Sequence, residues 1–394
     1  MSARRTAIVG GLMATTGPLS LSLYSPALPA LVSDLGATDS GGKLTLSVYF
    51  AAFACAQLIC GPLSDRYGRR AVGMAFFIIY VIGSLVCALS PTLEVLLLGR
   101  LLQGFGVSSG VALSRAMVRD QFTGMDAIRI LTLVNLILTV APAVSPTLGS
   151  LLMLLGPWNI MFVVMAGFGL AIIALLALGA RETLAADARV PLRPGRILTN
   201  YGRLLRSPDF MLPGLVLALA FGGFYVFPAL LPFILIDRLG LTPLQFALVM
   251  LIQTASFIAG NIVAARLARR LRGDQLVSIG LVLIGLAGSG FAVLPHLFPG
   301  SVLAVMVPVG VWMLSLAAIG PSTTTAAMAG HGDIAGASGA MTGFLQMGGG
   351  FVASMLASTL FADALSAMSV IPPILAAAAI ALVAVERRRA RPLA

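Results

Sequence analysis

Apolar stretches of about 20 residues recur along the whole chain, separated by short polar breaks. They fall at about 6–31, 43–63, 71–90, 94–115, 128–153 and 158–180, and again at about 209–236, 245–268, 275–296, 300–325, 335–360 and 367–385. Each is long enough for a helix to cross roughly 30 Å of hydrocarbon, where a backbone must satisfy its own hydrogen bonds. The pattern predicts an all-α membrane protein with twelve transmembrane helices. Arg4 and Arg5 precede the first stretch as they would in a secretory signal. That stretch is too long for the apolar region of a signal and leads into further spans, so it reads as a retained helix.

The longest polar interval runs from Arg181 to about Pro208 and holds six arginines and three prolines. It divides the chain into an N-terminal six-helix bundle (1–180), a cytoplasmic linker (181–208) and a C-terminal six-helix bundle with a short basic tail (209–394). The halves share local chemistry. Tyr24-Ser25-Pro26-Ala27-Leu28-Pro29 is echoed about 202 residues later by Tyr225, Pro228-Ala229-Leu230 and Pro232, and Arg66, Arg69 and Arg70 recur as Arg266, Arg269 and Arg270. Two matches at nearly one offset, flanking a midpoint linker, favour two pseudo-symmetric bundles from a duplicated transporter.

Composition removes other classes. Of 394 residues, 59% are hydrophobic and 10% charged, whereas a soluble domain carries roughly a quarter charged residues. Mean hydropathy is +1.02. The formal charge of +11 would suggest nucleic acid in a soluble protein, but these charges are too sparse and scattered for that partner. With both termini placed in the cytoplasm, 22 of the 25 basic residues fall on the cytoplasmic side, leaving Lys43 and Arg238 outside and Arg100 within a span. That bias fixes the orientation by the positive-inside rule, and most of these arginines hold topology or touch anionic headgroups. Cys55, Cys60 and Cys87 lie in apolar runs and suit packing rather than a disulfide framework or a zinc site. No metal or cofactor is expected.

Some charges are not explained by topology. After the second span comes Gly61-Pro62-Leu63-Ser64-Asp65-Arg66-Tyr67-Gly68-Arg69-Arg70. The positive-inside rule alone would account for Arg69 and Arg70, but not for Asp65 between two glycines. A carboxylate there can accept from an adjacent helix N-terminus, while glycines allow a tight turn and close helix approach. A second segment, Gly99-Arg100-Leu101-Leu102-Gln103-Gly104-Phe105-Gly106, continues to Arg115, Arg119 and Asp120. An arginine at the bilayer centre costs at least about 2.5–3.5 kcal/mol, so Arg100 either faces a cavity or partner or snorkels to the outer surface. In the fifth span, Ala141-Pro142-Ala143-Val144-Ser145-Pro146-Thr147-Leu148-Gly149 puts two prolines into an apolar helix, which neighbours must compensate.

Three further patterns are weaker. Gly106-Val107-Ser108-Ser109-Gly110 has the spacing of a nucleophile elbow but sits in a membrane helix, where small residues serve packing. Gly36 to Lys43 lacks the glycine and hydroxyl positions of a phosphate loop. Trp158 suits an interface anchor, and Trp312, near mid-span, faces either lipid or a ligand. An enzyme is not expected.

The decapeptide from Gly61 to Arg70, with twelve spans and a midpoint linker, closely resembles the loop signature of the major facilitator superfamily. The Arg100-x-x-Gln103-Gly104 run and the helix-5 segment with Pro142, Pro146 and Gly149 resemble signatures of its drug:proton antiporters, although Ser145 and Ser150 stand where glycines are common. With the Tyr24 to Pro29 run, Glu182-Thr183-Leu184 and the Pro232 to Gly240 turn, the chain resembles the bicyclomycin and chloramphenicol exporter branch (Bcr/CflA). The resemblance implies a monomeric multidrug exporter of the plasma (inner) membrane, working by proton antiport and alternating access, with drug, protons and lipid as partners. A facilitator or importer of a small metabolite is the alternative on the same fold.

It also implies roles. Gly61, Asp65, Arg66, Gly68, Arg69, Arg70, Arg119 and Asp120 would govern conformational change, with Asp65 meeting the cytoplasmic end of the eleventh span near Asp333 to Gly336. Arg100 would respond to the proton site. One departure matters: the helix-1 acid common in that branch is Ser22 here, and a serine does not ionise in the physiological range. His296 and His331 fall near loops, so neither suits a midplane relay. Polar residues that could line an otherwise apolar cavity are Tyr24, Tyr49, Gln57, Gln103, Asn135, Tyr225 and Gln253, ordinary interhelical hydrogen bonding being the competing account.

Overall fold

The computed structural model describes residues 1–390, and within them the side chains of all but 128, 139–143, 188 and 387–390. The described residues form helices and connecting turns, with no strand among them. They group into two units, residues 1–37 with 48–198 and residues 38–47 with those from 199 onward.

The first unit contains α1 (Ala3–Ser22), α2 (Leu28–Asp34), most of α3 (Asp39–Tyr67), α4 (Arg69–Ala88), α5 (Leu93–Val107), α6 (Ser109–Gln121), α7 (Gly124–Met153) and α8 (Ile160–Ala174). Two spans are broken rather than continuous. The prolines at 26 and 29 remove two backbone donors, and the chain between α1 and α2 tightens into a single 3-10 turn at Ser25–Ala27. The fourth span breaks at Ser108, whose hydroxyl donates back to the Phe105 carbonyl at 2.7 Å. That satisfied, fully buried hydroxyl leaves no nucleophile at the elbow-like spacing.

The linker contributes α9 (Pro194–Arg206), an amphipathic helix that buries Tyr201 and Leu204. The second unit continues through α10 (Pro208–Pro232), α11 (Pro243–Leu267), α12 (Gly273–Leu297), α13 (Val302–Ala329), α14 (Ala335–Leu360) and α15 (Ala364–Ala390). Among the described residues, eleven helical stretches are long and apolar enough to cross a membrane. α7, 30 residues long, completes the two sets of six, and its central side chains fall outside the described residues.

Each unit repeats one packing plan. In the first, α4 packs on α5 and α8, while α1 packs on α6, α7 and α8. In the second, α12 packs on α13 and α15, while α10 packs on α13, α14 and α15. The same pairs of corresponding helices touch in both, as a duplicated bundle requires. Trp312 shows how the second unit is filled. It is fully buried, its Nε1 donates to the Ala220 carbonyl at 3.0 Å, and its ring meets Phe227 and Phe291, so it faces neither lipid nor an open site.

Candidate functional site

Arg100 lies in the interior of the first unit with no solvent exposure, so it does not snorkel. Its guanidinium is placed by three helices. Nη1 donates to Gln103 Oε1 at 2.8 Å, one turn along α5, and to the Ser20 carbonyl of α1 at 3.5 Å. The cation lies 4.3 Å from the ring centroid of Tyr49 on α3 and 4.8 Å from that of Tyr24, at the break after α1. Aromatic faces attract a cation through their quadrupole, and the attraction grows when water is excluded. Nε and Nη2 have no hydrogen-bond partner among the described residues.

Gln103 holds this arrangement in register. Its Nε2 donates to Ser84 Oγ at 2.7 Å, and the Ser84 hydroxyl donates to the Tyr80 carbonyl at 2.8 Å. Ser20 Oγ donates to the Thr16 carbonyl and lies 2.6 Å from the Tyr80 hydroxyl, and the Tyr49 hydroxyl donates to the Gly17 carbonyl at 3.3 Å. Cys87 Sγ sits 3.7 Å from Gln103 Oε1. The break after α1 has its own support. Tyr24 packs on Phe162, Phe162 on Trp158, and Trp158 Nε1 donates to Asp34 Oδ2 at 2.8 Å. Gly149 lies against the backbone at Leu23, and a Cβ there would run into that carbonyl. Pro146 is buried one turn earlier, its carbonyl accepting from Ser150 Oγ; Pro142 lies outside the described residues.

The structure therefore brings Tyr24, Tyr49, Arg100 and Gln103 together and leaves the other cavity candidates elsewhere. Gln57 is partly buried and Asn135 exposed. In the second unit, Tyr225 is buried against Phe221 and Phe224, and Gln253 is buried with Oε1 lacking a hydrogen-bond partner among the described residues.

A second cluster forms at the turn between α3 and α4. Arg69, barely exposed, donates through Nη1 to Asp65 Oδ1 at 2.5 Å and to Ser64 Oγ at 2.6 Å, and through Nε to Asp120 Oδ2 at 3.0 Å. Arg70 donates to the Leu176 and Ala177 carbonyls at the end of the sixth span, so topology does not exhaust its role. Arg66 and Arg119 are exposed. The carboxylate on the N-terminus of α4 belongs to Glu182. Its Oε1 accepts from the Arg69, Thr183 and Leu184 amides and its Oε2 from the Arg70 amide. Gly68 is needed here because its φ is +97°, and a Cβ would meet the Glu182 carboxylate. Gly61, by contrast, has open space around it, so no close helix approach depends on it.

Two residues went unassigned in the sequence. Glu182 was one, and Lys43 is the other. Lys43 is the one lysine of the chain, against 24 arginines. In the second unit it is fully buried, and Nζ donates to the Phe361 carbonyl at 2.9 Å and to those of Ala357 and Ala362 at 3.4 Å. It thus caps the C-terminal end of α14, the end where a helix dipole favours a cation. Its rarity and its place inside an apolar stretch were the available signals. Asp333, near the start of α14, takes Arg203 at 2.5 Å.

The first unit thus holds a buried arginine with a glutamine one turn on, and Arg69 at the start of α4 is held by acids of α3 and α6. Residues 11–357 match the profile of the Major Facilitator Superfamily. The chain belongs to that superfamily. It is 31% identical to the uncharacterized MFS-type transporter YdgK of Bacillus subtilis over 88% of this chain and 86% of that protein. It is 29% identical to the multidrug resistance protein MdtM of Salmonella typhimurium over 72% and 70% of the two chains. In fold it is similar to the xylose transporter XylE from E. coli, with a TM-score of 0.72 over 96% of each chain at 12% identity. This superfamily member is a multi-pass membrane transporter rather than an enzyme.

Proposed function

We propose that the protein exports small hydrophobic or amphipathic compounds, of the phenicol or bicyclic-peptide kind, from the cytoplasm by alternating access coupled to proton antiport. It would act as a monomer in the plasma (inner) membrane with both termini inside. The observation that carries this reading is the Arg100–Gln103 pair, locked inside the first unit where an antiporter-like signature stands in the sequence. A cation held there, away from bulk water, responds strongly to any change of charge nearby. The multidrug resistance relative, matching over two thirds of the chain, supports the same direction.

The decisive test uses purified protein in proteoliposomes with an imposed pH gradient. Phenicols, bicyclic peptides, lipophilic cations and aryl carboxylates are offered in turn. Accumulation that collapses with a protonophore supports antiport. Equilibration that ignores the gradient supports the facilitator reading, which one observation favours: Ser22 stands where an acid is expected, and all fourteen Asp and Glu lie between helices or within about a turn of a helix end.

A further inference from the structure

The buried cations of this protein are answered in different ways. Lys43 is surrounded by helix-terminal carbonyls, and Arg69 meets two carboxylates. Arg100 is fully buried, takes part in no ion pair among the described residues, and keeps two N–H positions unpartnered. Those positions are Nε and Nη2. They lie side by side on one edge of the guanidinium and form the fork that receives both oxygens of a carboxylate.

We propose that Arg100 is the binding site for a carboxylate carried by the transported substrate. This rests on the exporter reading and, among its amphipathic compounds, selects those that carry a carboxylate, so neutral phenicols and bicyclic peptides would not use this site. The fork is preorganised: Nη1 is fixed by Gln103, and Gln103 is fixed by Ser84, so little side-chain freedom is lost when an anion docks. Tyr24 and Tyr49, both fully buried, pack on the guanidinium and exclude water from it. An unpaired charge inside a membrane protein is strongly unfavourable, and no acid in the interior of a span exists to relieve it. The counter-ion arrives with the substrate. Lipophilic cations, by the same argument, are repelled.

The test is thermal unfolding of the purified full-length protein in detergent, titrated with 4-phenylbutyrate, 4-phenylbutanamide and 4-phenylbutylamine. These share one body and differ in charge. The acid is expected to raise Tm saturably, with a half-saturating concentration at least about tenfold below that of the amide, one charge-assisted fork being involved. In Arg100→Gln the acid and amide should become equivalent. Arg100→Lys keeps the charge and loses the fork, and it should sharply reduce the preference for the acid, which gives a second readout in a variant that preserves the buried cation. No saturable shift with the acid, equal action of amide or amine, or an unchanged preference in both variants overturns the proposal. Export of the same three compounds is measured separately. Acid-selective binding without export would sink the exporter reading alone, and equal export of acid and amide would sink the anion site alone.

Discussion

The Glu182 carboxylate sits on the first turn of α4, 2.8 Å from the Arg69 amide and 3.1 Å from the Arg70 amide. It answers orphan backbone donors and the positive end of the helix dipole at once. The same turn places Arg69 against Asp65 and Asp120, and Thr183 adds a hydroxyl to Asp120 at 3.1 Å. The linker start therefore determines how the loop between the second and third spans is held.

Glu182→Ala should lower stability by about 1–2 kcal/mol, the range of a lost helix cap. Glu182→Gln, which keeps an acceptor oxygen but no charge, should recover part of this. Thermal unfolding of both variants in detergent measures it, and an Ala variant as stable as wild type would mean that solvent replaces the clasp.

Asp65→Asn is expected to impair export while leaving expression intact. Arg69 keeps Asp120 and Ser64, and Asp65 is half-exposed, so the lost pair costs at most about 1 kcal/mol. A drop in transport much larger than that would assign Asp65 to conformational change. Wild-type export by a well-expressed variant would sink the assignment.

How much of this was legible follows from the range of each interaction. Twelve spans, the midpoint linker and the internal echo are written in local hydropathy and spacing. Arg100 stood out because one charge interrupts an apolar run. The break after α1 was not read, although Pro26 and Pro29 announce it. The cap on α4 is not legible locally, because the residue that fills it, Glu182, lies 113 positions from Arg69. Lys43 reads in sequence only as a basic residue outside the cytoplasmic set, because its acceptors lie more than 300 positions away. Hydropathy does not reveal which face of a span is packed, so in sequence Trp312 reads equally as a lipid or a ligand contact.

Gln103 carries the next expectation. Gln103→Leu removes the acceptor of Arg100 Nη1 and the donor to Ser84, leaving a buried charge less satisfied. Loss of a hydrogen bond to a charged group of this kind costs about 1.5–3 kcal/mol. Gln103→Glu instead supplies an internal carboxylate. It should unfold at a higher temperature than the Leu variant and lose the preference for substrate carboxylates, because the counter-ion is then built in. A Glu variant that still prefers the acid over the amide would separate Gln103 from the anion site.

The last expectation concerns pH. Asp363 precedes α15, and its Oδ2 accepts from both the Ser366 amide and hydroxyl at 2.8 Å, while Oδ1 faces Arg238 at 3.3 Å. Burial pushes the Asp363 carboxyl up, but the Ser366 donors and the Arg238 cation outweigh it and hold the group below its ordinary range. A depressed folded-state value means that the ionised carboxylate favours folding above the unfolded pKa, about 3.9. That contribution is lost as pH falls through the folded value. Asp363→Ala should cost about 1 kcal/mol at neutral pH, as a lost N-cap does, and Asp363→Asn should cost less because the amide oxygen still accepts. The difference between wild type and Asp363→Asn should shrink when unfolding is followed from pH 6 down to about pH 3. A gap that stays constant over that interval would show that the cap acts through its shape and not its charge.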